Sequence, residues 1–368
     1  MRICMIAPEQ FPVPGDGSVE ICIWNIARRL ARRHQVTIVS RRAPGLPDTA
    51  ETEQVRIIRL PSGTPSRYRS SVLGYLKTAE PFDLLQIDNR PLLAAAVKRQ
   101  HPGTPVLAFI HSLTFVPPGA RTARSLAMAD AVAANSRSLE QRLARRFPGI
   151  RRRLHLVPLG ADLSRFSPPN PQEKARLRAL HGLPAGFTVL FAGRVIPRKG
   201  VPVLLRAMHR LKQQVPCHLL IAGRGKPPYL RQLKSLARRL GISVTFLGNI
   251  PHGEIHTLYQ AADCFVCPSQ RHESFGLVNV EAMASGLPVI ASSNGGIREI
   301  IISGHNGYLV KRYRDPAAFA SRMKQIASSP ALAARTGMQG RADALERFEW
   351  QHTAEQLEHL YLELAAPK

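Results

Sequence analysis

Residues 1–40, MRICMIAPEQFPVPGDGSVEICIWNIARRLARRHQVTIVS, alternate in a way that decides the architecture. RICMIAP (2–8) and VTIVS (36–40) are short apolar runs of the kind made by parallel strands buried on both faces. Between them Val19, Ile23, Ile26, Ala27 and Leu30 recur at helical spacing, which puts an apolar stripe on one side of a helix. Strand, loop, helix and strand in that order make a βαβ opening.

The same alternation continues through VRIIRL (55–60), DLLQID (83–88), PVLAFIH (105–111), AVAANS (131–136) and LHLVPLG (154–160), with the helical RSLEQRLARRF (137–147) between the last two. Repetition of this kind predicts a doubly wound α/β domain. After Gly160 the text changes to ADLSRFSPPNPQEKARLRALHGLPAG, rich in proline and charge, which reads as a linker with one short helix. A second alternation follows, from FTVLFAG (187–193) and GVPVLLRAMHRLKQ (200–213) through DCFVCPS (263–269) and GLVNVEAMASG (276–286) to GIREIIISG (296–304). The expected fold is α/β, two Rossmann-like domains facing a central cleft. A first domain is expected over 1–165, a linker over 166–186 and a second domain over 187–349. The tail 350–368 is expected to be a packing helix with Trp350, Leu357, Leu360 and Leu364 as its buried stripe.

A chain of 368 residues is long enough for two cores, and 44% hydrophobic with 21% charged residues describes a globular protein. No apolar run reaches the roughly 18–20 residues of a membrane-spanning helix, and the opening MRICMIAP is too short and strand-like for a secretory signal, so a cytosolic protein is expected. Five cysteines scattered through apolar segments suit reduced, buried thiols. Cys264 and Cys267 form a CxxC, but no second pair or histidine follows at zinc spacing, and no metal is expected. The net charge of +26 divides evenly between residues 1–165 and the remainder. It fits an anionic surface or acceptor, an arginine-rich proteome, or nucleic acid; no zinc-finger spacing or RNP-like strand supports the last.

Four places ask for more than packing. PVPGDGS (12–18) follows a strand and precedes a helix, and Gly15 and Gly17 there remove side chains where a phosphate or sugar would approach. FAGRVIPRKG (191–200) sets Arg194 and Lys199 around a turn before a helix, cations suited to a diphosphate. LIAGRG (220–225) carries Arg224 at a strand end. The last is RHESFGLVNVEAMASGLPVI (271–290), with Glu273 in a loop and Glu281 inside the helix that begins near Phe275. The early N–H groups of that helix, at residues 276–278, are suited to phosphate, and the two acids to the sugar hydroxyls on either side of it. A plain turn or surface carboxylates remain open for each segment taken alone.

ESFGLVNVEAMASGLPVIASSNGGIREII resembles the E-x7-E signature of the retaining GT-B glycosyltransferases, the nucleotide-sugar family that includes sucrose synthase and glycogen synthase. The resemblance runs from the first strand through GRVIPRKG to FEW (348–350), and the opening is similar to the spore-coat-associated branch. It implies donor binding in the C-terminal domain, acceptor binding mostly in the N-terminal one, and no metal. It assigns Arg194 and Lys199 to the donor diphosphate, Glu281 to its ribose, Glu273 to its sugar, the backbone at Phe275, Gly276 and Leu277 to sugar and phosphate, and His111, in FIHS, to the transferred sugar. Arg224 and Asn249 are looser nucleotide-side candidates. Gly15-Asp16-Gly17 departs from the adjacent glycines of many members. The implied donor is a UDP- or GDP-sugar, with no permanently bound cofactor. The acceptor expected is an anionic, glycan or lipid-linked molecule of envelope, coat or polysaccharide, with peripheral contact at an anionic membrane surface. A catalytically silent relative that binds sugar or surface in an assembly is the alternative.

Overall fold

The computed structural model of the chain describes residues 1–11 and 18–366. Two compact units divide the backbone, Met1–Gly160 with Trp350–Lys368, and Ala161–Glu349.

The first unit runs β1 (Arg2–Gln10), α1 (Ser18–Leu30), β2 (Gln35–Arg41), β3 (Thr49–Thr52), β4 (Val55–Leu60), α2 (Pro65–Thr78), β5 (Leu84–Asp88), α3 (Pro91–Gln100), β6 (Val106–Ile110), α4 (Ala120–Met128), β7 (Ala131–Ala134), α5 (Arg137–Arg146) and β8 (Leu154–Leu156). Its sheet has the order β3-β4-β2-β1-β5-β6-β7-β8 and is parallel except where β3 meets β4. β3, read as TAET, carries no apolar run and escapes the pattern that marks the others. β5 and β6 are buried at every residue, which is why they read as uninterrupted apolar stretches. Strand order reverses between β1 and β5, so a crevice is expected at their C-terminal ends.

The second unit runs α6 (Pro171–Leu180), β9 (Phe187–Ala192), α7 (Val201–Leu211), β10 (Cys217–Ala222), α8 (Pro227–Leu240), β11 (Val244–Gly248), α9 (His256–Ala261), β12 (Cys264–Cys267), α10 (Leu277–Ala284), β13 (Val289–Ser292), α11 (Ile297–Ile300), β14 (Tyr308–Val310), α12 (Pro316–Ala327) and α13 (Pro330–Arg347). Its parallel sheet has the order β11-β10-β9-β12-β13-β14, which places the reversal between β9 and β12. Val189, Leu219, Val266 and Ile290 from the sheet pack with Leu204 and Met208 of α7 and Phe319 and Met323 of α12. Each such burial contributes about 1.5–3 kcal/mol. Cys264 and Cys267 are free thiols buried in β12.

The stretch 166–186, expected as a linker, is instead folded into the second unit, whose boundary falls at Ala161. Asn170 caps α6 by accepting from the Glu173 N–H at 2.8 Å. Lys174 and Arg178 on that helix hold Asp263 at 2.6 and 3.1 Å, and Phe166 and Leu177 are buried. Proline and charge here build the short helix that was expected, with its cap and an ion triad that ties it to the second unit. The last helix, α14 (Trp350–Ala365), packs on α1 within the first unit. Trp350, Leu357 and Leu360 are buried, together with Ala354 and Tyr361, whereas Leu364 lies at the helix end and is only partly covered.

Candidate functional site

In the second unit the loops that follow β9 and β12 meet at the reversal of strand order. The first loop carries Arg194 and ends in a 3-10 turn over Pro197–Lys199. Lys199 Nζ lies 2.6 Å from Glu273 Oε2, with the two side chains 14% and 18% exposed. Ser269 Oγ donates to the same carboxylate oxygen at 3.0 Å. Burial pushes the Glu273 carboxyl up, but the Lys199 ammonium, then Arg198 and the Ser269 hydroxyl, outweigh it and leave the pKa below the usual glutamate value. Glu273 is therefore a carboxylate at neutral pH, held beside a cation.

The backbone around Glu273 is clamped from the β13–α11 loop. Asn294 Oδ1 accepts from the Glu273 N–H at 3.2 Å, its Nδ2 donates to the Ser269 carbonyl at 2.7 Å, and the Gly296 N–H donates to the Glu273 carbonyl at 2.8 Å. Gly295 has φ +56°, and a Cβ there would overlap the Glu273 backbone. α10 begins at Leu277, two residues later than expected, because Gly276 caps it in a left-handed conformation at φ +105°. A Cβ on Gly276 would come within 2.7 Å of Asn279 Nδ2. Phe275 is buried edge-on against Phe348, with ring centroids 6.0 Å apart, which anchors the turn ahead of the helix.

Glu281, one turn into α10, is buried with its oxygens divided between two partners. Oε1 lies 3.1 Å from His252 Nε2, and Oε2 accepts from the Tyr259 hydroxyl at 3.0 Å. Burial first, and the Glu281 carboxylate second, push the Tyr259 hydroxyl well above its ordinary pKa, so it stays a donor. On the other side of β9, the Val195 N–H donates to the Arg224 carbonyl at 2.7 Å and the Gly193 N–H to the Ala222 carbonyl at 2.9 Å, so the Arg194 and Arg224 loops lie side by side. Gly193 itself has φ +134° with nothing within 4 Å of a built Cβ, leaving open space beside the Arg194 backbone. Asn249 is exposed just past β11.

A second polar cluster caps the sheet of the first unit. His111, 6% exposed at the end of β6, has Nε2 2.7 Å from Asp88 Oδ1. Asn89, at φ +54°, accepts the His111 N–H on its Oδ1 at 2.8 Å. Glu20 in the first turn of α1 is 2% exposed, and its Oε1 has no hydrogen-bond partner among the described residues. Burial, reinforced by Glu9 and Asp88, raises its pKa to about 7. The unfolded chain, with an ordinary value of about 4.3, gives up this proton first, so Glu20 costs stability increasingly above that pH and fully above its folded pKa. Glu20→Gln is accordingly expected to raise the urea midpoint at pH 8 and leave it unchanged at pH 4; an equal gain at both would refute the buried-proton account.

The structure thus brings Lys199 and Glu273 into contact, sets the Phe275–Leu277 turn directly after them, and places Arg194 and Arg224 on adjoining loops. It gives Glu281 its own pair of partners, and it sets His111 in the other unit. Gly15 and Gly17 lie outside the described residues. Sequence reading did not find His252, Tyr259, Ser269, Asn294 or Asp88, since each is an ordinary polar residue until the loops assemble. The adjacent Gly295 and Gly296 were the one available signal.

Residues 175–343 match the family described as Glycosyl transferases group 1, and residues 19–165 match Glycosyltransferase Family 4. Spore coat protein SA of Bacillus subtilis is 32% identical over 98% of this chain and 99% of that protein. A GDP-mannose-dependent alpha-(1-6)-phosphatidylinositol monomannoside mannosyltransferase of Mycolicibacterium smegmatis is 30% identical over 97% of each. Sucrose-phosphate synthase from Thermosynechococcus elongatus superposes with a TM-score of 0.85 at 27% identity, covering 99% of this chain and 98% of that one. HepE of Anabaena, solved with UDP and glucose, shares the fold with a TM-score of 0.82 at 22% identity over 98% and 99% of the two chains. Two Rossmann-like units of this kind are a GT-B fold, the scaffold of glycosyltransferases. The chain belongs to the group 1 glycosyl transferases.

Proposed function

We propose that the chain transfers a hexosyl group, with retention of anomeric configuration, from a nucleoside diphosphate sugar to an acceptor of the cell envelope, coat or polysaccharide. The observation that carries this reading is the Lys199–Glu273 pair at the strand-order reversal of the second unit, immediately ahead of the α10 N-terminus. Arg194, Lys199 and the N–H groups of Phe275, Gly276 and Leu277 take the diphosphate. Glu281 takes the ribose, Glu273 the donor sugar, Arg224 and Asn249 the base side. His111, in the first unit, keeps the role the resemblance implies at the transferred sugar.

The step is a displacement on one face of the sugar. The bond from the anomeric carbon to the diphosphate oxygen breaks as the acceptor oxygen bonds to that carbon, and the acceptor proton passes to the departing phosphate oxygen. Fixed cations and helix N–H groups offset the charge that develops on the leaving group, the work a metal ion does in other transferases. Glu273, a carboxylate beside the anomeric centre, stabilises the positive charge growing there without forming a bond.

The +26 charge supports an anionic acceptor, or one carried on an anionic surface, with the protein acting peripherally from the cytoplasm. Among the described residues no helix is long and apolar enough to cross a membrane. The coat-protein name of the B. subtilis relative favours a second reading, sugar binding in an assembly without transfer. A panel of UDP- and GDP-hexoses separates the two. Release of nucleoside diphosphate from one donor, falling at least about 10²-fold in Glu273→Ala, is the result expected. Tight nucleotide binding without turnover on any donor would establish the silent reading.

A further inference from the structure

We infer that Tyr361 of α14 and Gln86 of β5 are positioning residues that fix the orientation and tautomer of His111 through Asp88, so that His111 Nδ1 is presented as a hydrogen-bond acceptor for a ligand hydroxyl. That the ligand is a sugar rests on the transferase reading; the arrangement of the four side chains does not.

Every link is buried. Tyr361, Gln86 and Asp88 are each 0% exposed. The Tyr361 hydroxyl donates to Gln86 Oε1, Gln86 Nε2 donates to Asp88 Oδ2 at 3.0 Å, and Asp88 Oδ1 lies 2.7 Å from His111 Nε2. An ionised carboxylate only accepts, so it sets the direction of the whole chain. Gln86 must turn its NH₂ toward Asp88, because the reversed amide would face oxygen with oxygen. Its carbonyl then faces Tyr361, and the phenol must donate. On the other side the carboxylate requires an N–H at His111 Nε2, which in the neutral ring leaves the lone pair on Nδ1.

His111 has little freedom to escape this assignment. Phe109 stacks on the ring at 4.2 Å between centroids, Asn89 accepts the His111 N–H, and Asn135 Nδ2 donates to the His111 carbonyl at 3.1 Å. Among the described residues Nδ1 nevertheless has no partner, and neither does Asn135 Oδ1 at the end of the next strand; both atoms are buried. Buried acceptors lacking a donor are rare in folded proteins. Two of them at the ends of neighbouring strands fit a polyhydroxyl ligand that supplies the hydrogens.

The test uses the full chain labelled with ¹⁵N-histidine, with the His111 resonances assigned by their loss in His111→Gln. In long-range ¹H–¹⁵N spectra at pH 8 the wild type is expected to show His111 as the Nε2–H tautomer. Tyr361→Phe, which keeps the buried ring and removes only the hydroxyl, is expected to give a tautomer mixture. Gln86→Met serves as the second variant. In transfer assays Tyr361→Phe is expected to lower kcat on the order of tenfold, the scale of groups that act behind a functional side chain, with donor KM unchanged. The same change made in His111→Gln should cost nothing further. An Nδ1–H tautomer in the wild type, a spectrum indifferent to both variants, or losses that add across the two backgrounds would overturn the inference. A chain that transfers no sugar would still be decided by the spectra alone.

Discussion

Lys199→Met is expected to lower kcat/KM for sugar transfer about 10³-fold, the upper scale for removing one preorganised charge at a developing anion. Two effects combine. On the proposed reading the donor diphosphate loses a fixed cation, and Glu273 is left in a largely buried position with Ser269 and Arg198 to offset its charge. The consequence for stability has a definite sign. Because the folded pKa of Glu273 lies below its unfolded value, the pair stabilises the protein above about pH 4.3 and that contribution disappears as the pH falls through the folded pKa. The variant should therefore unfold more readily than wild type at pH 7 and approach it in acid. Initial rates with the preferred donor and urea melts at both pH values measure this. A loss of less than tenfold would remove Lys199 from the donor site.

Gly295→Ala carries the next largest effect, although residue 295 bears no chemistry. Its φ of +56° disfavours any side chain, and the added Cβ would collide with the carbonyl and backbone of Glu273. The loop that aims Glu273 must shift. A displacement of about 1 Å at a reacting group costs roughly 10²-fold in rate. Backbone strain adds about 1–3 kcal/mol against folding. Gly304→Ala separates the two contributions: with φ +87° and nothing within 4 Å of its Cβ, it introduces strain without collision. It is expected to lower the melting temperature and leave turnover intact. Equal turnover in Gly295→Ala and Gly304→Ala would show that the Glu273 loop tolerates the shift.

The residues that could be read ahead of the structure are those whose chemistry is expressed along the chain. Lys199 follows a strand and a glycine turn, and Glu273 and Glu281 flank the start of α10, so their neighbours in sequence already suggest anion binding. The short helix after Gly160 was legible in the proline-rich text, but its membership of the second unit was not, because the ion pairs of Lys174 and Arg178 with Asp263 join residues 85 or more positions apart. Tyr361 and Leu364 sit almost on the same face of α14, and only the depth of packing beneath each separates a buried phenol from a partly covered leucine.

The alternation of buried apolar strands and amphipathic helices was enough to determine two Rossmann-like units, because a parallel strand covered on both faces has no choice but to be apolar throughout. The pairings that assemble the candidate site and its buried support were decided only by tertiary structure. Lys199 meets Glu273 across 74 residues and Tyr361 meets Gln86 across 275. Such partners are selected by strand order and by which loops it brings side by side, a property of the folded sheet that no local window of residues encodes.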